Sequence, residues 1–114
     1  MKGKIVIICI MAVSSLQVSA SDMRNATIEK MMVDTNHGEK LFIKATGAVG
    51  ILPSCSVNGT WQYVLPLNTE LKKDTMTSML LSAYMAGKAV RLTGTDLCDS
   101  YGSIETLNRV EFEM

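Results

Sequence analysis

One helical segment lies between three strand-like segments and two more, and this order restricts the fold more than any other feature of the 114-residue sequence. We expect the helix to begin after Asp74, a suitable N-cap, and to end before Gly87, a suitable left-handed C-cap. Apolar side chains recur within it at i, i+3, i+4 and i+7 and form one stripe: Met76, Met79, Leu80 and Ala83. This stripe predicts a helix that covers a β-sheet core.

The strand-like segments alternate apolar and polar residues, as half-buried strands do. We predict strands over residues 27–34, 40–47, 61–65, 89–94 and 103–113. In the first, Met31, Met32 and Val33 are consecutive, so we expect a bulge or burial on both sides there.

Side-chain faces follow from the same alternation. In the second and third strands one face carries Leu41, Ile43, Ala45, Trp61, Tyr63 and Leu65. In the last strand we expect Ile104, Val110, Phe112 and Met114 on one face and Glu105, Arg109, Glu111 and Glu113 on the other.

Five strands with one helix between the third and fourth is the element order of the OB-fold, a partly open Greek-key barrel. The sequence therefore predicts a mainly β, five-stranded OB-fold-like Greek-key barrel that forms a single domain over residues 21–114. An α+β sheet with the helix across one open face stays an alternative, because periodicity alone does not distinguish the two.

The first 20 residues have the pattern of a secretory signal peptide. Lys2 and Lys4 precede an apolar run over residues 5–13, and small residues at 18–20 suit cleavage after Ala20. The run is far shorter than the roughly 20 apolar residues of a membrane span. Cys9 lies inside it, which disfavours a lipoprotein. We expect a secreted or periplasmic protein without a membrane span after cleavage.

Two cysteines remain after that cleavage, Cys55 and Cys98. An even pair in a small exported domain predicts a disulfide. Two buried free thiols are the alternative.

Composition and residue types argue against several functions. Eleven basic residues balance eleven acidic ones, so phosphate-driven nucleic-acid binding is disfavoured. His37 is the sole histidine and lies in a turn without a nearby nucleophile, and we interpret it as solvated. No metal-ligand spacing and no glycine-rich phosphate loop occurs. We predict a non-enzyme without metal or cofactor.

Binding is the better-supported class of function. OB-folds hold oligosaccharides and oligonucleotides between their first and fourth inter-strand loops, here residues 35–39 and 95–103. In the second loop, Asp96, Asp99 and Ser100 are candidate partners for sugar hydroxyls, and Tyr101 is a candidate platform. The alternative is that these polar residues only form and cap the turn. Trp61 and Tyr63 are either a stacking surface or core.

The stretch from Leu80 to Val110, LLSAYMAGKAVRLTGTDLCDSYGSIETLNRV, resembles the second half of small exported bacterial proteins similar to the B subunits of pertussis- and subtilase-type AB toxins. The segment Cys55 to Trp61, CSVNGTW, resembles the region before their third strand. The resemblance implies an OB-fold, export and glycan binding by a homo-oligomer. The C-terminal part of the chain does not match the toxin subunits' longer cysteine-containing tail, and no sugar-contacting residue is carried over. A periplasmic accessory or inhibitor that binds a protein partner is the alternative function.

Overall fold

The computed structural model describes residues 21–68 and 71–113. The predicted signal segment, residues 1–20, lies outside them. The elements are β1 (Asp22–Val33), β2 (Lys40–Val49), β3 (Tyr63–Pro66), α1 (Leu71–Ala86), β4 (Val90–Gly94) and β5 (Glu105–Phe112). A short 3-10 turn, Thr35–His37, joins β1 to β2.

The five strands form one mixed sheet that closes in a ring, in the order β1-β2-β3-β5-β4 and back to β1. All neighbouring pairs are antiparallel except β3 and β5, which are parallel. The prediction of a mainly β chain with five strands and one helix after the third is confirmed. The alternative of an open sheet is wrong, because β1 pairs with both β2 and β4.

The ring interior holds the main core, and its composition follows the predicted alternation. Leu41 and Ile43 of β2 and Leu65 of β3 point inward and are buried. The helix stripe meets them: Leu80 is 0 % exposed, and Ala83 is buried beside it. Met76 and Met79 pack partly buried against the same core. The predicted function of the stripe, to cover the core, is confirmed.

The ends of α1 differ in how well the sequence predicted them. The helix begins at Leu71 instead of after Asp74, which lies in its first turn near the positive end of the helix dipole. Its C-terminus is as predicted: Gly87 adopts φ 65°, and the Lys88 N–H donates to the Ala83 carbonyl at 3.0 Å. This bond satisfies a carbonyl that the last helical turn leaves open.

A second apolar cluster lies on the outer face of the ring. Phe42, Val64 and Ile104 are buried there, with Met32, Trp61 and Tyr101 packed partly buried against them. This cluster accounts for two of the three consecutive apolar residues of β1, since Met31 packs inward and Met32 outward, whereas Val33 is 59 % exposed. It also corrects the assignment of Trp61, which does not share the inward face of Tyr63.

The face assignment of β5 is wrong in its first half. Glu105 was expected among the exposed polar residues, yet its exposed fraction is 0 %, and Ile104, expected on the face of Val110, packs in the second cluster instead. At the other end of the strand, Phe112 is 43 % exposed. The reason is a register irregularity: Thr93 pairs with Arg109, but Gly94 pairs with Leu107. The extra residue shifts the alternation by one, so Glu105 and Leu107 point inward before it and Val110 after it.

A charged pair reinforces the contact between β1 and β4 that closes the ring. The Arg91 guanidinium donates from Nε and Nη2 to the two carboxylate oxygens of Asp22, each at 2.8 Å. This forked geometry holds the pKa of Asp22 below its usual range, mainly through the hydrogen bonds from Arg91.

Candidate functional site

The candidate site is a cleft of about 140 Å³ on the outer face of β2 and β3. It is smaller than the roughly 300–1,000 Å³ of drug-sized ligand pockets. Its lining combines an aromatic centre with a polar edge: Met32, His37, Phe42, Asn58, Thr60, Trp61, Tyr101 and Ile104. We call this set the aromatic cleft. Its size suits one ring-sized group.

Aromatic rings from four separate segments meet at the aromatic cleft. Phe42 lies at the centre, with its ring centroid 5.2 Å from that of Tyr101 and 5.9 Å from that of Trp61. The His37 ring stands 5.6 Å from Phe42 and 5.7 Å from Tyr101. The Phe42–Tyr101 pair and both His37 pairs are edge-to-face, an arrangement that aromatic quadrupoles favour.

Asn58 fixes the segment that presents Trp61. Its Oδ1 accepts hydrogen bonds from the backbone N–H groups of Thr60 and Trp61, both at 2.9 Å. This Asx turn orients the chain just before β3. The Lys30 ammonium lies 5.8 Å from the centre of the Trp61 ring, within cation–π range.

The predicted disulfide between Cys55 and Cys98 is present and is confirmed. It links the segment before β3, which carries Asn58 and Trp61, to the β4–β5 loop, which carries Tyr101. Two backbone hydrogen bonds run beside it, from the N–H groups of residues 57 and 58 to the carbonyl of Ser103, both at 3.1 Å. The two walls of the aromatic cleft are therefore tied together covalently and by hydrogen bonds.

The structure separates the four predicted loop residues. Tyr101 lines the aromatic cleft, whereas Asp96, Asp99 and Ser100 do not. Asp99 accepts a hydrogen bond from the Thr106 hydroxyl at 2.7 Å. Asp96 adopts φ 71°, and its N–H donates to Glu105 at 2.8 Å. The loop therefore bends at Asp96, and it turns again at residues 102–103 just before β5.

Sequence reasoning missed His37 and Phe42 as members of the site. The His37 side chain is exposed, as expected of a histidine in this turn. In addition, its Nδ1 lies 3.2 Å from the Asp34 carboxylate and its ring packs against two other aromatic rings. Phe42 carried a usable signal, because it is an aromatic residue on the face of β2 that otherwise holds Lys44 and Thr46.

The described part of the chain shows no cluster of three or more His, Cys, Asp or Glu side chains that could hold a metal ion. Within the same residues, no helix is long and apolar enough to cross a membrane. No protein-family model matches the chain, and no curated protein matches it significantly.

Proposed function

We propose that the chain is an exported, non-catalytic binding protein with an OB-fold-like Greek-key barrel, and that the aromatic cleft binds a glycan. The observation that carries this proposal is the position of the cleft. OB-folds bind ligands on the face of strands two and three, between the first and fourth inter-strand loops. Here Phe42 comes from β2, His37 from the β1–β2 connection and Tyr101 from the β4–β5 loop.

The ring topology supports the OB-fold part of the proposal. The strand order β1-β2-β3-β5-β4, the parallel pair β3–β5 and the helix before β4 are the arrangement expected of that fold. The similarity of residues 55–61 and 80–110 to toxin B subunits points to the same fold and to glycan binding.

The lining chemistry favours a sugar over a nucleic acid. Sugars present apolar C–H faces that aromatic rings cover and hydroxyl edges that protein hydroxyls bind, and the cleft offers both through Tyr101 and Thr60. Single-stranded nucleic acids need a positively charged track besides stacking rings. Near the cleft Lys30 contacts Trp61, but the whole chain has no basic excess.

A periplasmic accessory or inhibitor that binds a protein partner is the second candidate. Its support is a group of exposed apolar side chains before and after Cys55. Ile51 is 76 % and Val57 is 73 % exposed, with Val49 and Leu52 also exposed. Such a surface would equally suit the subunit contacts of a homo-oligomer.

The decisive experiment measures glycan binding on an array and by calorimetry with the mature protein and three variants. Tyr101→Ala should reduce affinity at least ~10-fold, a loss of about 1.4 kcal/mol. Thr60→Val keeps the side-chain volume but removes a hydroxyl at the rim, and should weaken binding without affecting the fold. Tyr84→Ala is the matched control, because Tyr84 is an exposed tyrosine of α1 outside the cleft.

Circular dichroism of each variant separates loss of binding from loss of fold. Equal affinities for wild type, Tyr101→Ala and Thr60→Val would contradict the assignment of the site. Absence of any glycan binding, together with capture of a defined protein partner through residues 49–57, would favour the second candidate.

A further inference from the structure

The strongest unexplained feature of the interior is a fully buried carboxylate at the start of β5. Glu105 and Ser21 are each 0 % exposed. An ionised carboxylate buried in this way is costly unless it is paired and hydrogen-bonded. Among the described residues, no ion pair joins Glu105 to a lysine, arginine or histidine side chain.

The site around Glu105 is built to receive a carboxylate. Asp96 donates its backbone N–H to Oε2 at 2.8 Å from a left-handed conformation, which is uncommon for a residue other than glycine. Gly94 makes room for the group, because a Cβ at that position would overlap the Glu105 carboxylate. The left-handed backbone at Asp96 and the missing side chain at Gly94 both serve the same carboxylate, which marks a specific site.

Ser21 completes this site with its own backbone nitrogen and its hydroxyl. The nitrogen lies 3.3 Å from Oε2, and the hydroxyl donates to Oε1. The Tyr63 hydroxyl lies 2.7 Å from the Ser21 Oγ and extends the network across the ring. Two backbone N–H donors, from Ser21 and Asp96, therefore converge on one oxygen of the Glu105 carboxylate.

We propose that Ser21 is the N-terminal residue of the mature protein and that its α-ammonium is the counter-charge of Glu105. Hydrolysis of the Ala20–Ser21 amide consumes one water molecule and breaks the C–N bond. The new carboxylate stays on Ala20 and the new ammonium on Ser21. In the uncleaved chain the Ser21 nitrogen donates one neutral N–H. After cleavage it carries three N–H donors and a positive charge, 3.3 Å from the Glu105 carboxylate oxygen.

The proposal gives signal removal a structural consequence that is independent of glycan binding. An uncleaved chain must bury Glu105 without a counter-charge, whereas the processed chain forms an internal ion pair as it folds. Processing at a different bond would move the ammonium, since each additional residue displaces it by up to about 3.8 Å.

The first test is the N-terminal sequence of the protein exported to the periplasm, which should begin Ser-Asp-Met. The second is a double-mutant cycle on the oxidised mature chain, released from a fusion with either Ser21 or one additional glycine at its N-terminus. In the wild-type background, the extra glycine should raise the unfolding equilibrium constant roughly 100-fold or more, as loss of one partner of a buried pair does.

The same extension in a Glu105→Gln background should change that constant much less, because the carboxylate is already gone. Glu111→Gln is the matched control, as Glu111 is an exposed carboxylate of the same strand. An equal loss in both backgrounds would show that the extension acts by steric hindrance and would overturn the proposal. An N-terminus other than Ser21, or no effect of the extension, would overturn it as well.

The proposal remains testable even where Glu105→Gln does not fold. Acetylation of the Ser21 amine removes the charge from the mature chain without any substitution. We expect the acetylated chain to lose as much stability as the glycine-extended one. Unchanged stability after acetylation would refute the ion pair.

Discussion

Removal of the Cys55–Cys98 bridge should reduce both stability and binding, and its effect on stability follows from the separation of the two cysteines. The bridge joins residues 43 apart in the sequence. For a closed loop of that length, the chain-entropy model gives about 4 kcal/mol of stabilisation through the unfolded state. We therefore expect the double variant Cys55→Ser/Cys98→Ser to lose about 4 kcal/mol.

Urea unfolding of the oxidised wild type and the double variant provides the measurement. With a slope of about 1–2 kcal/mol per molar urea, the midpoint should fall by about 2–4 M. Ser54→Ala is the control, because Ser54 is exposed beside Cys55 and its change should leave the midpoint in place. A loss below about 1 kcal/mol would refute the chain-entropy argument for this loop.

The same variant tests whether the bridge organises the aromatic cleft. Both backbone hydrogen bonds to the Ser103 carbonyl can still form without the disulfide, so the walls stay connected but with more freedom. Binding should then become weaker, because more loop entropy is lost on association. The affinity is measured under conditions in which the variant is folded. A glycan affinity equal to that of the wild type would then show that the disulfide contributes to stability alone.

Two further predictions concern the interior of the ring. Leu80→Ala should lower the free energy of unfolding by about 2–5 kcal/mol, because Leu80 is fully buried. Ser82→Ala, on the exposed side of α1, should be nearly neutral in the same denaturation assay. Equal effects of the two substitutions would contradict the orientation of the helix. Burial, aided by the charge of Glu105, raises the pKa of Tyr63 to about 12. The neutral phenol therefore stabilises the folded state fully at a pH below the ordinary tyrosine pKa near 10, and this stabilisation is lost as the pH rises towards 12. That shift corresponds to about 2–3 kcal/mol, and Tyr63→Phe should remove this part of the alkaline destabilisation; an identical pH profile for the two proteins would refute the assignment.

The sequence predicted the parts of the fold that depend on local periodicity. The alternation in β2 gave the inward positions of Leu41 and Ile43, and the stripe of α1 gave the burial of Leu80. Gly87 marked the end of the helix because helices commonly end at a residue in the left-handed conformation, which glycine adopts most readily. These features are set by neighbours within a few residues, which a single sequence displays.

Features that depend on distant pairing were not predictable in this way. The burial of Glu105 arises from a register shift between β4 and β5, and nothing near Glu105 in the sequence reveals it. The aromatic cleft brings together residues 42, 61 and 101, which lie far apart in the sequence and are neighbours only through the pairing of the strands and the contacts between the two loops. Tyr101 was predicted as a ligand platform from its loop alone, but its actual neighbours were not.

For the acidic residues of the β4–β5 loop, the chemistry of the side chains did not predict the contacts that the structure shows. Asp96 and Asp99 were expected to bind sugar hydroxyls, yet one donates its backbone N–H to Glu105 and the other accepts from Thr106. Both contacts hold the loop to the start of β5, while the disulfide at Cys98 holds its middle. Tyr101 lies two residues after Asp99, and its own carbonyl accepts from the Ile104 N–H at 3.0 Å. The acidic residues thus restrict the backbone that carries Tyr101, while its ring packs against Phe42 and His37 in the aromatic cleft.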